Sequence, residues 1–253
     1  MTPNRNKRLP ERIVLFTDFG EAGLYTGQME AVLFDRGVNI PVIRLISDAP
    51  KCNPRASAYL LEPLSHHLPK KTLFLSVVDP GVGGSRLPLL VETEDHWFVG
   101  PDNGLFSRVL HRTQNAIVRA IDWRPDNLSV SFHGRDLFAP VAAAVAVGSR
   151  LSLLPLTPTM LEGSSWPDHL PEIVYVDHYG NLLTGISAAA IRDDARLLAA
   201  DAEIPYARVF SEMESGQPFW YRNSIGLVEI AVNRGSASAL LGLEIGQAVA
   251  VIH

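Results

Sequence analysis

The sequence predicts an α/β fold: an N-terminal, mainly parallel sheet flanked by helices, plus a smaller C-terminal all-β barrel-like domain. Three observations predict it. Up to about residue 150, short β-rich runs alternate with helical patterns. Between 152 and 171 the chain becomes rich in Pro, Gly and Ser. Beyond that stretch, short strands separated by Gly and Asn turns take over. The expected limits are therefore 1–151 for the α/β domain, 152–171 for a Pro-rich linker and 172–253 for the barrel-like domain.

In the first domain the expected strands are Ile13–Thr17, Val42–Ile46, Leu73–Val78, Leu89–Thr93, Trp97–Gly100 and Ile117–Ile121. Several are unbroken apolar runs, the pattern of strands covered on both faces. Helical patterns fall at about Leu24–Asp35, Pro54–His67 and Leu105–His111. A fourth, Leu137–Val147, is rich in Ala and Val and begins at an Asp136 cap. Pro155, Pro158, Pro167 and Pro171 punctuate the linker. The second domain offers Ile173–Val176, Leu182–Ile186, Tyr206–Phe210, Phe219–Tyr221, Leu227–Val232 and Ala248–Ile252 as strands.

The 253 residues are 47% hydrophobic and 19% charged, a globular balance. A net charge of −5 argues against a general nucleic-acid binder. The one basic cluster, Arg5, Lys7, Arg8 and Arg12, reads as a solvated tail. Cys52 is the only cysteine, so no disulfide forms within the chain and a reducing, cytoplasmic setting fits. Its place before Asn53-Pro54 suggests a small packed side chain at a helix start. Neither an export signal nor a run of about 20 apolar residues is visible, so no membrane partner is expected.

Four polar clusters follow strands or precede the last helix, where open α/β sheets place ligands. They are Thr17-Asp18-Phe19-Gly20, Val78-Asp79-Pro80-Gly81-Val82-Gly83, Pro101-Asp102-Asn103-Gly104 and Phe132-His133-Gly134-Arg135-Asp136. Singly, each is an ordinary turn or cap. Together they gather acids, a histidine and an arginine whose desolvation packing alone would not offset. The glycines after Asp79 do not form a phosphate loop, because Gly84-Ser85-Arg86 follows where Gly-Lys-Ser/Thr is needed. Adjacent His66-His67 read as solvent-facing residues at a helix end. No His-Glu-x-x-His, cysteine pair or Gly-x-Ser-x-Gly elbow occurs, so neither zinc nor a serine triad is supported.

This series of motifs resembles the S-adenosylmethionine hydroxide adenosyltransferases, water-using relatives of the fluorinase and chlorinase. The resemblance continues through Asp177-His178-Tyr179-Gly180-Asn181 and Asn223-Ser224-Ile225-Gly226 to Asn233. It implies hydrolysis of S-adenosyl-L-methionine to adenosine and L-methionine. It also implies a catalytic first domain, a substrate-binding second domain, and a homotrimer with sites between subunits. The family's catalytic Asp, Arg and His fall on Asp79, Arg86 and His133. Asp18 matches the ribose-binding carboxylate and Asn181 the adenine-edge contact. Ser224, Glu229 and the backbone at Val232 match substrate-binding positions, and Asp177 the methionine end.

Two departures stand out. Gly23 replaces an Asp common in a Gly-x-x-Asp-x-Tyr pattern, which bears on ribose affinity, with Glu21 nearby as the candidate substitute. Ile225 stands where halogenating relatives carry an Arg, and their halide pocket lacks an acid at the Asp79 position; both differences favour water as nucleophile. The sulfonium leaves as a neutral thioether, so neither metal nor cofactor is expected. Competing readings are a metal-dependent nucleoside or phosphoester hydrolase using Asp18, Asp79, Asp102, Asn103 and His133 as ligands, and a non-catalytic nucleoside-binding module.

Overall fold

The computed structural model describes residues 8–252. Arg5 and Lys7 of the basic cluster lie outside the described residues. Arg8 and Arg12 are not a free tail: the Arg8 guanidinium lies 4.7 Å from the Trp97 ring centre, and Arg12 donates to the Pro69 and Lys70 carbonyls.

The chain divides into two units, the first comprising residues up to Ala58 together with Leu68–Ser165, the second Tyr59–His67 together with Trp166 onward. In the first unit a 7-stranded sheet has the order β2-β1-β3-β5-β4-β6-β7. Its strands are β1 (Arg12–Thr17), β2 (Val42–Ile46), β3 (Thr72–Val77), β4 (Pro88–Glu92), β5 (His96–Pro101), β6 (Ile117–Ile121) and β7 (Leu153–Leu156). Strands β2, β1, β3 and β5 are parallel neighbours, while β4 runs antiparallel to both β5 and β6. Helices α1 (Thr26–Asp35), α3 (Ser107–Arg112) and α4 (Ala139–Ala146) belong to this unit, and α2 (Pro54–His66) begins in it and ends in the second.

Period-2 geometry explains the unbroken apolar runs. Ile13, Leu15, Leu73, Leu75 and Val99 join one core with Met29 and Leu33 of α1 and with most of α4. The alternate residues face the other way, where Phe74 and Phe98 stack at 4.9 Å and Phe106 closes on Phe98. Each of these buried rings contributes roughly 2 kcal/mol of transfer free energy.

Three features differ from the sequence expectation. Leu153–Leu156, inside the Pro-rich stretch, is an edge strand paired with β6; Pro155 is tolerated because an edge strand need not donate on both sides. Asp136 does not cap α4. It lies within a π-helical turn, Gly134–Phe138, that runs into α4, and it binds Arg135 and the Ser129 amide instead. Pro140, with no N–H to give a preceding carbonyl, sits just past this wider turn. Cys52 is exposed rather than packed, in a left-handed conformation (φ 53) that delivers its N–H to Asp18.

The second unit contains a 4-stranded sheet, β12-β13-β9-β8, and a 3-stranded sheet, β11-β10-β14, both antiparallel. Their ranges are β8 (Leu170–Val176), β9 (Leu182–Ser187), β10 (Arg196–Ala199), β11 (Ala202–Ile204), β12 (Pro218–Arg222), β13 (Leu227–Val232) and β14 (Ala250–Ile252). Ile173, Leu182, Leu197, Ile204, Trp220 and Ile230 draw both sheets into one core. Tyr206–Phe210 is not a strand: it makes a single bridge, Tyr206 to Trp220, after Pro205. The β10–β11 turn uses Ala200 and Asp201 at positive φ, without the Gly or Asn that usually signals a hairpin. A short helix, α5 (Ala237–Leu241), is capped by the Ser236 hydroxyl and ends at left-handed Gly242. Among the described residues no helix is long and apolar enough to cross a membrane.

Candidate active site

Strands β1, β3 and β5 are adjacent and parallel, so their C-terminal ends share one edge. Asp18 follows β1, Asp79 follows β3 and Asp102 follows β5, which explains why three acids far apart in sequence meet at one edge. Asp79 is the most deeply set. Its side chain is 5% exposed, and Oδ1 accepts from Arg86 Nη1 at 2.6 Å. Oδ2 is buried without a hydrogen-bond partner among the described residues. Burial pushes the Asp79 carboxyl above the usual range, against the opposing pull of Arg86, His133 and the Gly81 amide.

The glycines after Asp79 have a steric role. A Cβ on Gly81 would lie 1.4 Å from Arg86 Nη2, so the guanidinium rests on bare backbone. Gly83 (φ 82) approaches the Val130 carbonyl, which a Cβ would meet at 2.4 Å. That close approach joins the Asp79–Arg86 loop to the segment leading to His133. Asn103 Nδ2 donates to the Val78 carbonyl at 2.8 Å and so pins the backbone just before Asp79.

Asp79, Arg86 and His133 line one pocket of ≈ 220 Å³, together with Arg124, Leu128, Leu137 and Phe138. His133 is held below the usual imidazole range, first by burial and then by Arg124, with Asp79 and Asp136 pulling the other way. Asp18 accepts from the Cys52 amide at 2.8 Å, and burial raises its carboxyl. Asp102 accepts from the Glu162 amide at 3.1 Å and is likewise raised by burial.

Gly23 fits its loop because a Cβ there would lie 2.4 Å from the Phe19 carbonyl oxygen. No side chain, acidic or other, fits that position without moving the loop. Glu21 is exposed, and its charge acts on Arg44.

In the second unit Asp177, Asn181 and Glu229 come together. Asp177 Oδ1 accepts from the Tyr179 and Asn181 amides, and Oδ2 accepts from Asn181 Nδ2, each at 2.9 Å. Glu229, 5% exposed, accepts from the Tyr221 hydroxyl and from Asn223 Nδ2. Burial raises Glu229, and Asp177 adds to the rise; Tyr221 is raised by burial and by Glu229. Asn223 Oδ1 takes the Ile225 and Leu227 amides, which shapes the turn that carries exposed Ser224. Val232 stands apart, three positions beyond Glu229 at the end of β13, with its carbonyl accepting from Gly235.

Arg124 and Tyr221 were not singled out from the sequence. Arg124 belongs to no motif, and Tyr221 reads as a strand aromatic; only the β12–β13 register, which sets Tyr221 opposite Glu229, gives it a partner. His66 and His67 are exposed at the end of α2, as expected. Among the described residues no group of three or more His, Cys, Asp or Glu is placed to hold a metal ion.

A family profile described as SAM hydroxide adenosyltransferase N-terminal domain matches residues 13–154, and the corresponding C-terminal domain profile matches 171–250. The chain is 33% identical to an (R)-S-adenosyl-L-methionine hydrolase of Thermus thermophilus, over 95% of this chain and 99% of the relative. A Salinispora tropica protein of the same name is 32% identical, over 93% of this chain and 95% of the relative. A crystal structure of an uncharacterized conserved protein from Thermotoga maritima superposes with a TM-score of 0.85 at 30% identity, covering 95% of this chain and 100% of that one. The crystal structure of a conserved hypothetical protein from Thermus thermophilus gives a TM-score of 0.77 at 31% identity, covering 96% and 100%.

Proposed function

The chain belongs to the SAM hydroxide adenosyltransferase family, and from that premise we propose that it hydrolyses S-adenosyl-L-methionine at the 5′ carbon to adenosine and L-methionine. The names of its relatives point to the (R) form at sulfur. The observation that carries the reading is the buried Asp79–Arg86 pair sharing a pocket with His133. A water held there donates to the Asp79 carboxylate and to the His133 ring while Arg86 holds Asp79 in place. It attacks the 5′ carbon in line with the C–S bond, and a neutral thioether departs. Bulk water has a pKa of about 15.7, so the pair contributes orientation and a place for the proton.

Asp18 takes the ribose hydroxyls, since two carboxylate oxygens match a vicinal diol. Asn181, its Nδ2 committed to Asp177, offers Oδ1 to the adenine edge. Ser224, Glu229 and the Val232 backbone contribute further substrate contacts, and Asp177 serves the methionine end. The reaction needs no metal or cofactor, because the sulfonium is already activated; dialysis against EDTA then leaves turnover unchanged. The setting is cytoplasmic and the assembly a homotrimer whose sites are completed by neighbouring subunits. Mixing Asp79→Ala with Asn181→Ala then restores part of the activity.

Reaction in ¹⁸O-water tests the core of this reading. The label is expected on the 5′ oxygen of adenosine and not on methionine. Release of adenine with label at the 1′ carbon would identify a nucleosidase instead, and absence of turnover with retained adenosine binding would identify a binding module.

A further inference from the structure

The pocket containing Asp79, Arg86 and His133 has a second arginine, Arg124, that the mechanism above does not use. It comes from the loop after β6. Its Nη1 donates to two carbonyls of that segment, Ile121 and Trp123, each at 2.9 Å. Those bonds fix where the positive charge sits. Arg86 gives its charge to Asp79 at 2.6 Å, whereas the Arg124 bonds go to neutral carbonyls. The pocket thus contains one neutralised guanidinium and one that is not.

We propose that Arg124 is a positioning residue of this site: anchored on the β6 loop, its guanidinium shares the pocket with His133 and keeps a second cation out, so the imidazole meets water as an acceptor. The inference rests on the function proposed above. The groups that bear on the ring are Asp79 and Asp136, which favour its protonation, and Arg124, which opposes it together with burial. The two acids are already paired, Asp79 with Arg86 and Asp136 with both Arg135 Nε and Nη2. Leu128, Leu137 and Phe138 form the apolar part of the pocket wall, and Arg124 itself is exposed, so solvent moderates its charge at the ring. A neutral ring can accept the proton of attacking water; a protonated one only donates.

The test is an NMR titration of the His133 ring in substrate-free full-length protein, assigned with a His133→Gln variant. In Arg124→Gln the His133 midpoint is expected to rise, while Arg124→Lys, which keeps the charge, restores it. The kcat profile should follow, with about a threefold loss on the acid limb and convergence with the wild type at high pH. Arg124→Met serves as a second neutral variant should the first fold poorly. An unmoved His133 midpoint in both neutral variants overturns the proposal, whatever the substrate. A moved midpoint in a protein that does not cleave S-adenosylmethionine overturns the functional reading and leaves the role of Arg124 in place.

Discussion

In the first unit Asp79 commits one oxygen to Arg86 and buries the other without a partner among the described residues. In the second, Asp177 and Glu229 have both oxygens bonded, to Tyr179, Asn181, Tyr221 and Asn223. A buried acceptor left unbonded costs about 1–3 kcal/mol, and a carboxyl raised by burial beside a specific cation in a pocket is the pattern of a reacting group. The saturated pair carries no such penalty. Its network holds a shape, which suits recognition more than reaction. The two clusters should therefore fail differently when broken.

The largest expected effect is at Asp79. Asp79→Asn should lower kcat by about 10²- to 10⁴-fold with substrate binding largely kept, because an amide neither takes the proton nor pairs with Arg86 as an ion. Stability should move the other way. The folded-state pKa of Asp79 is raised, so its contribution is fully present below the ordinary carboxylate value and is lost as pH rises through the raised one. Urea unfolding from acid to neutral pH should show the variant gaining on the wild type across that window. A variant that loses stability and rate together would make Asp79 structural.

Next in size is Gly81→Ala, whose effect runs through Arg86. Its Cβ would strike Arg86 Nη2 at 1.4 Å, so the guanidinium must leave Asp79. Turnover should fall roughly 10- to 100-fold, as for other small misplacements in a site, with an unaltered circular dichroism spectrum. Full activity would show that the ion pair is dispensable.

Glu229→Gln sharpens the other side of the comparison. It removes a charge that receives two hydrogen bonds, so KM should rise about tenfold while kcat changes little. A fall in kcat alone would place Glu229 in the chemistry. The smallest effect is expected from Gly23→Ala: a Cβ 2.4 Å from the Phe19 carbonyl forces the loop to shift, at about 1 kcal/mol in thermal unfolding.

Much of the fold was legible because the signals were local. The apolar runs around Ile13–Phe16 and Leu73–Val77 mark buried strands by themselves, and Asp79-Pro80-Gly81 marks the turn that ends one. What was missed was short or unmarked. The β10–β11 hairpin turns through Ala200 and Asp201 rather than Asn-Gly, and α5 is only 5 residues long despite its Ser236 cap and Gly242 stop. β7 carries a proline, which reads as a linker until an edge position makes it harmless.

By itself, the sequence determined the order of elements from β1 to α4 and the chemistry at the strand ends, because periodicity and turn residues act over a few positions. It also determined the family, since the motif series recurs in order along nearly the whole chain. Only the tertiary structure decided that Arg124 shares a pocket with His133, that Tyr221 and Asn223 hold Glu229, and that Gly23 has no room for a side chain. Each depends on contacts between segments whose approach is set by strand register and loop closure, and no local pattern encodes which loop will meet which.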